Sequence, residues 1–173
     1  MPKRLMPTVM KNLHKLEFDY ANGAGYDFEP YLKFLSEAET RKWIQAWTGN
    51  DRLDGKDFFV FGQDGTGGYA AFWNIRNGDF VLDQPIVFFG SEGSAGIVAK
   101  NFSEYLWLLA GGVGPSEAIE QQDRVPAPEA LSYKFRLFAE KNATTEPLTA
   151  TEVLRTANQE FPHFNSYIAE ICQ

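Results

Sequence analysis

The sequence is poor in the residues that build metal and redox centres. It carries one cysteine, Cys172, and two histidines, His14 and His163, in 173 residues. A single thiol excludes an internal disulfide framework and any zinc site built from cysteines. It also agrees with a reducing compartment. No apolar run approaches the roughly 18 residues of a membrane span. The opening MPKRLMPTVMKNLHKLEF is basic but has no apolar core of signal-peptide length. These absences lead to the expectation of a soluble, cytoplasmic protein with no metal and no cofactor. What is present is a globular composition: 44% hydrophobic residues, 23% charged residues, 15 Phe, 7 Tyr and 4 Trp. That is enough to bury a core, and the length suits one domain.

The net charge is −7 and it is unevenly spread. Residues 1–20 are net +2, whereas residues 57–130 hold ten acidic against three basic side chains. A face carrying that excess would repel nucleic acid, since phosphate binding needs clustered Lys and Arg. It would speed encounter with a basic protein. The plain alternative is a solvated surface that keeps the chain soluble.

Local patterns predict helices at both ends and strands between them. Asp27 can cap a short helix with Pro30 in its first turn, on which Phe28, Tyr31, Leu32 and Leu35 share one face. Ser36 and Glu39 have capping-box spacing for a helix with the stripe Thr40, Trp43, Ile44 and Trp47, ended by Gly49. Segments 58–62, 69–75, 79–82, 85–90 and 95–99 read as strands of a meander, with Asn77-Gly78 as a hairpin turn. Several are apolar on both alternating faces and so need cover on both sides. Asn101 and Glu104 form a second capping-box pair, opening a helix that Gly111-Gly112 stops. The remainder reads as helices over 116–122 and 129–141, a helix capped by Thr149, and a last helix beyond Pro162. The fold class is therefore α+β. We expect a single domain with about five to six mostly antiparallel strands, flanked by N-terminal and C-terminal helices.

Catalytic motifs are weak. Gly65-x-Gly67-x-x-Ala70 has dinucleotide-fingerprint spacing, but a strand follows it where the fingerprint needs a helix. It reads as a tight turn. Ser91 and Ser94 lack the nucleophile-elbow pattern and a nearby histidine. Asp64, Asp83 and Glu92 fall near strand ends, and a converging pair could run acid hydrolysis. Trp73 shares a strand side with Tyr69 and Ile75; it reads as core, or as an aromatic anchor if exposed.

One ordered set of features is informative. Gly62-x-Asp64-Gly65-Thr66-Gly67-Gly68 leads to an aromatic strand and then Pro85-Ile86-Val87-Phe88. A turn with Ser91-Glu92-Gly93 and a helix with Phe102, Tyr105 and Leu106 follow. This arrangement resembles the SUKH superfamily, which includes bacterial immunity proteins and fungal cell-wall-synthesis regulators. The resemblance covers about residues 28–112, with 113–173 as a helical extension of one domain spanning 1–173. It implies a binding protein rather than an enzyme. The expected function is immunity: binding a cognate secreted toxin, a nuclease or other nucleic-acid-targeting domain, and occluding its active site. The alternative is a non-catalytic regulatory scaffold of the same fold. The expected partner is a basic toxin domain, not nucleic acid or membrane, and the oligomeric state stays open. Charge and strand-end position, not the resemblance, nominate the contact residues Asp64, Trp73, Asp79, Asp83 and Glu92.

Overall fold

Runs of β-branched and aromatic residues separated by Gly and Asp form the centre of the molecule. The computed structural model describes all of Met1–Gln173. Five strands occur: β1 (Glu29–Pro30), β2 (Phe58–Gln63), β3 (Tyr69–Trp73), β4 (Ile86–Phe89) and β5 (Ala95–Ala99). They form one antiparallel sheet in the order β1-β2-β3-β4-β5. Seven helices surround it: α1 (Thr8–His14), α2 (Glu37–Thr48), α3 (Phe102–Ala110), α4 (Pro115–Glu120), α5 (Glu129–Asn142), α6 (Ala150–Glu160) and α7 (Phe164–Ile171). The class is α+β in a single domain, as the patterning predicts.

The pleat sends alternate strand residues to opposite faces. Phe59, Phe61, Phe72, Ile86 and Phe88 bury in one core with Met10 and Leu13 of α1, Tyr105 and Leu109 of α3, and Phe135 of α5. Phe58, Val60, Trp73, Val87 and Phe89 bury in a second core with Ile44 of α2 and Phe164 of α7. The sheet is thus the middle of three layers. Helix α6 joins both cores at the β5 edge, since Val153 lies in the first and Ala157 in the second. Residues 113–173 therefore supply cover to both faces.

Helix ends follow the local chemistry. Ser36 closes its capping box with Glu39, and Thr149 closes one with Glu152. Gly49 ends α2 in the left-handed conformation, at φ 70°. Asn101 accepts from the Glu104 N–H, but the expected box there stays open. The Glu104 carboxylate turns inward instead. It accepts from Thr156 Oγ1 at 3.1 Å and pairs with Lys100 at 3.2 Å.

Two expectations need correction. Residues 27–35 are not helical. Phe28 and Phe34 bury in the first core, Tyr31 and Leu35 pack on the second, and Leu32 is exposed. The stripe that looked like one helix face is shared between two cores. Each buried Phe contributes roughly 2 kcal/mol, which outweighs helix propensities of under about 1 kcal/mol per residue. The extended backbone also covers the outer edge of β2: Tyr31 N–H donates to Phe61 O and Leu35 N–H to Val60 O. Pro30 sits on the short edge strand, where its missing N–H is tolerated. Phe28 crosses so close over Gly62 that a Cβ there would lie 2.1 Å from its ring.

Residues 79–82 are not a strand, and Asn77-Gly78 closes no hairpin. β3 pairs directly with β4, so the intervening 74–85 forms a loop outside the sheet with one 3-10 turn at Val81–Asp83.

His14 is buried between Phe18 and Phe61. Its Nδ1–H donates to Tyr31 O, while Nε2 has no partner. Burial lowers its pKa from 6.5 to about 4. The unfolded chain then takes up a proton that the fold refuses. Stability present at neutral pH should be lost as pH falls from about 6.5 to about 4. The shift corresponds to at most about 3 kcal/mol. Denaturant titrations across that range should show the loss, and His14→Gln should flatten it.

Candidate functional site

The five nominated residues do not share a surface. Asp64 closes the β2–β3 turn and is only 2% exposed. Its Oδ1 accepts from Thr66 N–H at 3.0 Å, Thr66 Oγ1 at 2.9 Å and Gly68 N–H at 2.7 Å. Glu92 is exposed on the β4–β5 turn at the same end of the sheet, where Ser91 Oγ donates to Thr66 Oγ1. Asp79 and Asp83 lie at the opposite end, exposed on loop 74–85. Trp73 is 6% exposed and stacks on Tyr167 of α7 with centroids 4.9 Å apart. It is a core residue, not a surface anchor. The strand-end carboxylates Asp83 and Glu92 sit at opposite ends of the sheet, so they form no acid–base pair.

The acidic excess of 57–130 is likewise no single face. Asp64, Glu104 and Glu117 are buried. Glu117 bonds Asp27 N–H beside Tyr26, Tyr105 and Arg124, and burial raises its pKa. Asp57 is half-buried near Asp54, which raises its pKa as well.

Loop 74–85 is the feature that sequence reasoning mistook for a strand. Its base is held firmly. Arg76 N–H donates to Gln84 Oε1 at 2.9 Å, and Gln84 Nε2 donates to Arg76 O at 2.9 Å. The Arg76 guanidinium reaches Lys100 O at 2.7 Å, Asp83 O, and Glu160 at 2.5 Å. It also lies over the Phe161 ring, 5.2 Å from its centroid. A pinned base leaves the tip projecting, with Phe80 75% exposed. Leaving a Phe in water forgoes roughly 2 kcal/mol of burial.

Phe80 stands at the mouth of a groove of about 810 Å³ between this loop, the N-terminal segment, α1 and the α3 start. Met6, Val9, Val81 and Phe102 line its apolar part. Leu5, 71% exposed, and Met1, 64% exposed, extend the apolar surface. Asp79, Asp83 and Lys3 are charged members of the lining, and Asn101, Ser103, Asn142 and Thr144 supply polar ones. The volume lies in the range of ligand and anchor pockets, mostly apolar with few polar groups. Two nominated residues, Asp79 and Asp83, belong to it; Asp64, Trp73 and Glu92 do not. Phe80 and Leu5 were missed. The available signal was Phe80 between two aspartates in a segment with Asn77-Gly78 before it and Pro85 after it.

No three His, Cys, Asp or Glu side chains converge as a metal-binding group. No helix is long and apolar enough to cross a membrane. No protein-family model, curated protein or solved structure matches this chain.

The placement of Asp64 separates folding from binding. Asp64→Ala should lower stability by about 3 kcal/mol, because it strands turn donors that a buried carboxylate satisfies. Asp79→Ala, on an exposed loop tip, should leave the melting temperature unchanged. Thermal unfolding of the two variants checks the contrast.

Proposed function

We propose that this protein is a non-catalytic binding protein of the immunity type. It uses the loop 74–85 groove to dock on a secreted toxin domain inside the producing cell, occluding a site built for nucleic acid. One observation carries the reading: Phe80 is held out in water, 75% exposed, between two aspartates at the mouth of an apolar groove. Contiguous exposed apolar surface with a polar rim marks interaction sites. A projecting aromatic supplies the buried anchor of an interface, and flanking carboxylates supply charge complementarity to basic residues around a phosphate-binding site. The SUKH-like order of elements, Asp64 turn through Tyr105 helix, supports the immunity class of partner.

The test is affinity capture with the wild-type chain and with Phe80→Asp, followed by co-expression. A captured basic protein should be toxic when expressed alone and neutralised by the wild-type chain. Phe80→Asp should weaken binding roughly a hundredfold and abolish rescue. Asp79→Lys with Asp83→Lys should slow association and flatten its salt dependence. Tyr133→Asp, on α5 away from the groove, should change neither. A partner that is harmless alone would remove the immunity reading. Full affinity in Phe80→Asp would remove the groove.

A further inference from the structure

The geometry points to a second docking site, independent of the first: the free edge of β5, which we propose receives an extended acidic peptide segment of a partner protein as a sixth strand. β5 pairs only with β4. Gly90 N–H donates to Ser94 O across the β4–β5 turn. Antiparallel alternation then turns the N–H and C=O of Ala95, and after Gly96 those of Ile97, away from β4. No backbone or side-chain hydrogen bond reaches these groups from any other element. An unpaired edge is a template for strand addition unless it is covered.

Cover is incomplete here. Ile97–Ala99 are buried where α6 closes the edge, but Ala95 and Gly96 are only half-buried. Beside Ser94–Ile97 lies a cavity of about 610 Å³ between β5, α4, α6 and the α7 start. Ile119 and Leu154 give it an apolar part, and Gln122, Asn158 and Asn165 bring three carboxamides. A carboxamide both donates and accepts, as a peptide backbone does, so the lining suits main-chain recognition. Arg155 is the one charged side chain of the lining. It bonds only Gln159 Oε1, at 3.3 Å, and joins no ion pair. An acidic residue on the incoming strand would complement it.

The probe is a phage-displayed library of random twelve-residue peptides, selected on the intact chain. We expect enriched peptides to carry an acidic residue in an otherwise uncharged extended run. The synthetic peptide should slow hydrogen exchange at the Ala95 and Ile97 amides at least about tenfold. Ala95→Pro removes the outward N–H without breaking the β4 ladder and should abolish binding. Arg155→Glu, on the exposed side of α6, should weaken the acidic peptide at least about tenfold and decides the case if Ala95→Pro does not fold. No enriched peptide, binding without protection of those amides, or full affinity in Arg155→Glu would overturn the proposal. Protection that grows with protein concentration and needs no peptide would also overturn it, assigning the edge to a second copy.

Discussion

Strands β2, β3 and β4 are apolar on both faces, so neither face of the sheet can meet water. Phe58 and Val60 point one way, Phe59 and Phe61 the other, and all four are buried. A fully buried side chain of this size contributes roughly 2 kcal/mol. Exposing either face would cost more than a marginally stable domain holds. Helices must therefore lie on both sides: α1, α3 and α5 on one, α2 and α7 on the other. The C-terminal helices are a structural requirement of the sheet, and α6 with Val153 and Ala157 seals the two cores together at its edge.

The same constraint explains where binding surfaces arise. The interior takes nearly all of the aromatic content, so an aromatic left outside needs a mechanical reason. Loop 74–85 provides one. Gln84 and Arg76 bind its base to itself, to Lys100 and to α6, and the tip cannot fold back into a sheet whose positions are taken. The two sheet edges are treated differently. On the β2 side, β1 and the extended residues that follow satisfy the backbone. On the β5 side, α6 covers one half and diverges from the other. An apolar groove and an open strand edge are thus by-products of how the layers close.

Much of this was legible in the residues. The capping boxes at Ser36–Glu39 and Thr149–Glu152 need only neighbours three apart, and local spacing reports local geometry. The two-sided strands announced a covered sheet. Half of the candidate site was legible too, as Asp79 and Asp83. What failed was everything decided by distant partners. The Phe28–Leu35 stripe satisfies helical spacing, yet Phe28 and Tyr31 pack against different cores. Phe80 sits in a strand-like run, but the place beside β3 belongs to β4. Trp73 and Asp64 resembled surface groups by chain position; one lies beneath α7 and the other inside its own turn.

The sequence by itself determined the class of the fold, the absence of cysteine-built sites, the ends of most helices and the need to cover both faces of the sheet. Those properties follow from composition and from contacts within a few residues. Only the tertiary structure decided which strands pair, which carboxylates reach solvent, which aromatic stays outside and which edge stays open. Those outcomes depend on competition among distant segments for the same space, and no local pattern records who wins it.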